Sequence, residues 1–456
     1  MPILREWTTE TRAKLIVHAS QIRGWWAKHD SEVWLAVIFA VVVAIVIEIG
    51  KDGWVGPQTY KVYLVGDYNQ TSGIKDLFTS FQNASSSWPL EIDGVPIKIE
   101  LRDDQGLPKE ATALAKELSK DDSTLLVVGN VYSELTKQTL PLYMTATPRI
   151  PVIAATETDD DLEKICGDNC KNVFAPVLQM APTNEAQAES AVSYAIAKKR
   201  TRCLVIYDDR SPNTDYADNL RDDFVNSLNV HRWQGIKLIT SPWNMALGII
   251  LHDSDIKSYD PDCIFFAGPV EPARSLISTL SLIAQKKNIT VFLPDSAVGA
   301  SLLSDQILDN YKPLFYTYPT NAAYFSSKHN VFGADAFQIV KQLVSDADTH
   351  NPTFMESLHN FFGMHRVTDA RAQIIREMQR KAESGASYKG EVSDIEPTGE
   401  NYKFWGFKRD DAKFHVWEVQ DHQVVDVDDW HQHETGKVIA PLKLANASVP
   451  SRVGTQ

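Results

Sequence analysis

Lys98–Gly129, KIELRDDQGLPKEATALAKELSKDDSTLLVVG, reads as a strand, a helix and a second strand in thirty-two residues. Ile97–Leu101 (IKIEL) and Thr124–Gly129 (TLLVVG) are short β-branched, mostly apolar runs, which is what parallel strands covered on both faces require. Between them Pro108–Leu118 (PKEATALAKEL) places Pro at the first helical position and spaces Ala and Leu at the helical period. The stretch is a βαβ unit, and it predicts an α/β fold with a parallel sheet.

Outward from it the pattern continues and then restarts. Lys61–Gly66 (KVYLVG) precedes the unit and Pro151–Ala155 (PVIAA) follows it. A second series of strands is expected at Arg202–Asp208, Ile236–Thr240, Cys263–Gly268 and Thr290–Pro294. The helix Asn184–Lys198 leads into that series, with Gln187 spaced from Asn184 as in a capping box. Two doubly wound parallel-sheet lobes are therefore predicted, and because ligands bind beyond the carboxyl ends of such strands, the two lobes should share one cleft.

Length and charge set the outer bounds. At about 150 residues per domain, 456 residues suggest about three units. With 45 Lys and Arg against 59 Asp and Glu the formal charge is −14, a field that opposes phosphate backbones, so no nucleic-acid partner is expected. Val33–Ile47 (VWLAVIFAVVVAIVI) carries no charge, and to Gly50 the apolar segment is eighteen residues, at the short end of a spanning helix. Arg5, Arg12, Lys14, Arg23 and Lys28 precede it and only Lys51 and Lys61 follow closely, while Trp25, Trp26, Trp34 and Trp54 flank it. The expectation is an uncleaved single-pass anchor with a cytoplasmic N-terminus and everything beyond residue 50 outside.

The run quoted first, followed by a Ser a few residues on, by PVIAATET (151–158) and by APTNEAQAESAVSYAIAKKRTRCLVIYDD (181–209), resembles the type I periplasmic binding proteins, most of all the branched-chain amino-acid binding proteins of ABC transporters. The resemblance extends over about residues 60–420. It implies two lobes joined by three crossovers, near Met180, near Tyr318 and before Phe404, that close on a ligand. It also implies site residues: Ser133 for the ligand's carboxylate, and Thr156 and Thr158 from the next turn. In that first lobe Tyr68 and Gln70 face the same cleft. Tyr216 matches a family Tyr in the second lobe, where the acid that pairs with a ligand ammonium falls on Asp295 or Ser296. The sequence departs from the family at Pro269 and Val270, which stand where an aromatic is usual.

The expected division is 1–32 as a cytoplasmic segment, 33–50 as the anchor, 60–180 with 320–400 as lobe 1, 181–319 with 401–425 as lobe 2, and 426–456 as a tail. Cys166 and Cys170 in ICGDNC are placed for a local disulfide, whereas Cys203 and Cys263, each opening an apolar run, read as free buried hydrophobes. Residues 385–401 read as loop. P-loop, dinucleotide, nucleophile-elbow and HExxH motifs are absent, so no cofactor is expected. The chain is expected to be an extracytoplasmic solute-binding protein for a small polar organic ligand, an amino acid or a small carboxylate or amide, delivering it to an ABC permease. The alternatives are a ligand-sensing subunit for a separate signalling protein, and an enzyme using Asp208, Asp209 and Asp295.

Overall fold

The computed structural model describes residues 59–68, 73–86, 89–159, 162, 176–207, 214–231, 236–240, 243–244, 248–249, 258–268, 270–283, 289–297, 314–318, 331–348, 367–384, 387–389, 401–405, 408–409, 415–420 and 423–426. The apolar segment 33–50, Gln70, Cys166, Cys170, Asp208 and Asp209 lie outside them. Among the described residues no helix is long and apolar enough to cross a membrane.

The first sheet contains β1 (Tyr60–Gly66), β2 (Leu90–Ile92), β3 (Val95–Asp103), β4 (Thr124–Val128), β5 (Val152–Ala154) and β6 (Val177–Gln179), in the order β2-β3-β1-β4-β5-β6. All neighbours are parallel except β2 with β3. Both faces are covered at β1, β4, β5 and β6, which explains their unbroken apolar runs, whereas β3, expected to be covered likewise, alternates with exposed positions and leaves Leu101 exposed, because it lies toward the sheet edge beside only the short β2. Val62 and Leu64 of β1 enter a core with Phe78, Phe81, Phe337 and Met378, while Tyr63 and Val65 enter another with Leu114, Leu118 and Tyr143. The helices on these faces are α1 (Gly73–Ser86), α2 (Pro108–Leu118) and α3 (Ser133–Thr145).

The second sheet has β7 (Cys203–Tyr207), β8 (Ile236–Thr240), β11 (Cys263–Ala267), β12 (Thr290–Leu293), β13 (Leu314–Tyr318), β17 (His415–Gln420) and β18 (Gln423–Asp426), with β9 (Trp243–Asn244) and β10 (Gly248–Ile249) as a separate pair. Its order is β18-β17-β13-β12-β11-β7-β8, and only the β13-β17-β18 edge is antiparallel. Helices α4 (Asn184–Ala197), α5 (Thr214–Val230) and α6 (Val270–Ile283) accompany it. Its core is aromatic: Phe224 stacks on Phe265 at 3.9 Å, and Tyr194 meets Phe315 at 4.8 Å.

After β13 the chain returns to the first lobe. Helices α7 (Val331–Asp348) and α8 (Val367–Ser384) contribute Phe337, Val340, Ile374 and Met378 to the first core. A Cβ on Gly333 would run into the Leu77 carbonyl, so only Gly lets α7 lie this close to α1. Arg371 of α8 is buried and donates to the carbonyls of Thr124, Asp121 and Pro148, pinning the ends of lobe 1. Burial lowers its guanidinium to about 10. A three-stranded sheet of β14 (Ser387–Lys389), β15 (Asn401–Trp405) and β16 (Lys408–Arg409) follows. Strand β14 thus replaces the start of the loop expected at 385–401.

Cys203 and Cys263 are not free. They form a disulfide with Cα atoms 4.5 Å apart, because parallel β7 and β11 place them in register. The sequence reading took each as an isolated hydrophobe, since 60 residues separate them and only sheet order brings them together.

Candidate functional site

The lobe 1 wall is built at the carboxyl ends of β4 and β5. Gly129, at φ 126° and against the Val65 carbonyl, ends β4. The Asn130 side chain then donates to Asp104 (2.8 Å) and accepts from Thr139 of α3 (2.7 Å), while Gly106 N–H donates to Asp104 (2.9 Å). Burial raises the Asp104 carboxyl, and the Asn130 and Gly106 bonds offset part of that cost. The network fixes the start of α3.

Ser133 is buried at that start as the first helical residue, and Tyr132 holds the cap position in extended backbone. Thr156 is half-buried and its hydroxyl lies 3.4 Å from the Val131 carbonyl. Thr158 is buried, and its carbonyl accepts from Asn184 N–H at 2.7 Å. Tyr68 donates its hydroxyl to the Leu64 carbonyl at 2.6 Å and lays its ring 4.8 Å from Phe78 against the first core, so its hydroxyl is already used. Burial raises that hydroxyl.

Between the two threonines stands a residue the sequence reading did not single out. Glu157 is completely buried, and its Oε1 accepts from Asp159 N–H at 3.0 Å. Burial pushes its carboxyl up to about 7, while the flanking hydroxyls of Ser133 and Thr136 and the Asp159 amide favour the charged form. Among the described residues Oε2 has no hydrogen-bond partner. Gln179 ties the segment down, donating to the carbonyls of Glu157 and Asp159 at 3.0 Å each.

The lobe 2 wall assembles three elements around Asp295, in the 3₁₀ turn Asp295–Ala297 after β12. Tyr216 of α5 donates to Asp295 Oδ1 at 2.7 Å and Gln187 of α4 donates to the same oxygen at 2.9 Å. Burial raises Asp295, and those two donors pull it back. Burial, then the Asp295 charge, raises Tyr216 well above its ordinary range. Ser296 donates to the Gly268 carbonyl at 2.9 Å. The expected capping box is displaced: the N-cap of α4 is Thr183, which accepts from Ala186 N–H at 3.3 Å, and Gln187 turns instead to Asp295. The two roles share one spacing, so sequence alone did not separate them.

The lobes meet through Asp159. It pairs with Lys137 of α3 in its own lobe and accepts from Asn219 Nδ2 of α5 at 2.8 Å across the divide. Asn219 lies one turn beyond Tyr216, so a single helix presents one residue to each wall. Among the described residues no cluster of His, Cys, Asp and Glu is arranged to hold a metal ion.

Residues 68–227 match a family model described as periplasmic binding protein. A search of curated protein sequences finds no match. Among solved structures, the leucine-binding protein LivK of Thermotoga maritima superposes with a TM-score of 0.58 at 15% identity, covering 81% of this chain and 97% of that one. An ABC-transporter solute-binding protein of R. palustris in complex with benzoate has a TM-score of 0.55 at 14% identity, over 81% and 95%. The branched-chain amino-acid binding protein LivJ of Streptococcus pneumoniae, in complex with isoleucine, has 0.55 at 16%, over 80% and 97%. At these identities the likeness is one of fold.

Proposed function

We propose, from the type I periplasmic-binding-protein fold that this chain has, that it is a solute-binding protein that captures a small polar organic ligand between its lobes and passes it to an ABC permease. The observation that carries the reading is the bond from Asn219 to Asp159, which draws the lobe 2 wall of Tyr216 and Asp295 onto the lobe 1 wall of Ser133, Thr156 and Thr158. Contacts from two walls coexist only when the lobes are together, so a ligand that touches both shifts the population toward closure. Gln70 and the ring of Tyr68 complete the lobe 1 side in this reading, and Ser296 the other. No bond is made or broken. Asp295, the acid the enzyme alternative relies on, already accepts from two side chains.

The lobes work outside the cytoplasm, and residues 33–50 anchor them by one helix with the N-terminus inside. The buried disulfide Cys203–Cys263 supports an oxidising compartment, and the basic residues before Val33 support the orientation. The test is a thermal-shift screen of the full chain against amino acids, small carboxylates, amides and amines, with the ligand recovered and identified. A stabilising ligand recovered unchanged is expected, with Ser133→Ala plus Thr158→Ala removing the shift. Turnover of the ligand would sink the reading.

A further inference from the structure

Cys203 and Cys263 are completely buried, and part of what seals them is the segment their bond encloses. Both belong to the aromatic core of lobe 2, to which α4 contributes Val192 and Ala195 and α5 contributes Leu220 and Phe224. Helix α5 lies in sequence between the two cysteines, so its docking onto β7 and β11 closes the core that holds both sulfurs. Thiol–disulfide exchange needs an outside sulfur to approach one of these atoms, and a close-packed core leaves no path for it.

The pairing of β7 with β11 is also held without the bond. At the entry to both strands the Asp262 carboxylate accepts from the Thr201 N–H and hydroxyl and from the Arg202 N–H, at 2.7 to 3.0 Å. The Cys263 N–H donates to the Arg202 carbonyl at 3.2 Å, and the Arg202 guanidinium pairs with Asp260 at 2.9 Å. These contacts favour the register that sets Cys203 opposite Cys263.

We propose that this chain is a folding-stage substrate of a disulfide-bearing oxidant, oxidised at Cys203 and Cys263 before α4 and α5 dock, and that the finished bond is closed to exchange in the native state. One cysteine thiolate attacks a sulfur of the oxidant's disulfide, forming a mixed disulfide and releasing one oxidant thiol. The other cysteine thiolate attacks the cysteine sulfur of that mixed bond and releases the second. Two protein thiols and one oxidant disulfide thus become one protein disulfide and two oxidant thiols, with two electrons and two protons passing to the oxidant. A chain that folds first keeps its register through Asp262 and holds two sealed thiols. None of this depends on the solute-binding reading, since a lobe that never met a ligand would need the same order of events.

Exposure of the full chain to dithiothreitol tests the sealed state. Peptide mapping after maleimide capture separates Cys203 and Cys263 from Cys166 and Cys170. In native buffer Cys203 and Cys263 should stay uncaptured at least about a hundredfold longer than in urea, since only molecules whose lobe 2 is open react. Capture as fast as in urea overturns the proposal and makes the bond a redox switch. To test the order of events, chain reduced in urea is diluted into buffer with oxidised glutathione present from the start, or added once circular dichroism shows refolding complete. The bond should form at least about tenfold faster in the first case; equal rates overturn the proposal. Failure of the reduced chain to refold without glutathione likewise puts oxidation before docking, and the dithiothreitol comparison then decides whether the finished bond is sealed.

Discussion

The two lobes each set an acid on a candidate site wall, Glu157 completely buried and Asp295 half-buried, and satisfy it differently. Asp295 in lobe 2 is held by two side chains from separate helices, Tyr216 and Gln187, on one oxygen. Glu157 in lobe 1 accepts from the Asp159 amide on Oε1, and among the described residues its Oε2 has no partner. Scaffold and site go together in this contrast. Lobe 2 is stapled through its central strands by Cys203–Cys263, whereas lobe 1 is pinned by one buried guanidinium and an Asp-Asn-Thr network. An acid with strong donors from rigid elements is a fixed feature of its wall. An acid pushed up to about 7 with a spare oxygen responds to protonation and to whatever is brought beside it.

The largest effect should come from breaking the staple. The disulfide closes a 60-residue separation, for which chain entropy predicts about 4 kcal/mol. Cys203→Ala with Cys263→Ala should lower the denaturant midpoint accordingly. Probes in lobe 2 should report the loss first, and an unmoved midpoint would show that sheet register alone holds β7 to β11.

Next is the pH dependence of lobe 1. Burial raises Glu157 to about 7 from its ordinary 4.5, with the nearby Asp159 charge adding to the rise. Between those values the unfolded chain has released the proton and the native state has kept it. Stability should therefore fall as pH rises from about 4.5 to about 7 and stay level above. The loss is on the order of 3 kcal/mol. Glu157→Gln should flatten this part of the stability profile, and an unchanged slope would mean that other groups carry it. Slightly smaller is Arg371→Leu, which removes a donor from the buried Thr124 carbonyl and from the half-buried Asp121 and Pro148 carbonyls and should cost about 2 to 3 kcal/mol in chemical unfolding. Lobe 2 would keep its own transition if the lobes unfold separately.

The fold was legible because its strands are short apolar runs between Gly, Pro and polar turns, a pattern that burial on both faces enforces. Strand β6, three residues long, carries too little pattern to read. Candidate site residues were read only where a family pattern reached them. Ser133 and Thr158 stand on the lobe 1 wall, but the residue between the two threonines was passed over, because an acid in a polar turn ordinarily faces water and nothing local announces that Glu157 turns inward. Gln187 fits a helix cap and a cleft contact equally well until the fold positions Asp295 next to it. Cys203 and Cys263 show the same limit: pairing is a property of strand order, and each cysteine alone looks like a small hydrophobe.

On the lobe 2 side, Tyr216→Phe removes one of the two donors to Asp295. That should raise the Asp295 carboxyl further, since the lost bond favoured its charged form, and weaken ligand binding by about 1 kcal/mol. A carbon-detected titration of Asp295 reads the first effect and calorimetry the second. If Asp295 does not move, Gln187 alone sets its charge and the contrast between the walls narrows.

The smallest expected effect lies where the walls touch. Asn219 donates a single hydrogen bond from its neutral amide to Asp159, whose charge Lys137 already balances. Asn219→Ala should cost the closed arrangement about 1 kcal/mol, close to a fivefold change in the ratio of open to closed molecules. Fold and walls should remain intact, because Asn219 is only part-buried and Tyr216, one turn earlier, keeps its bond to Asp295. Distance distributions between spin labels on α2 and α6 would read the shift directly. With ligand present the variant should close as fully as the wild type but require about fivefold more ligand to do so. Equal distributions without ligand would mean that the lobes stay together through their crossovers, and that the contact at Asp159 follows closure without contributing to it.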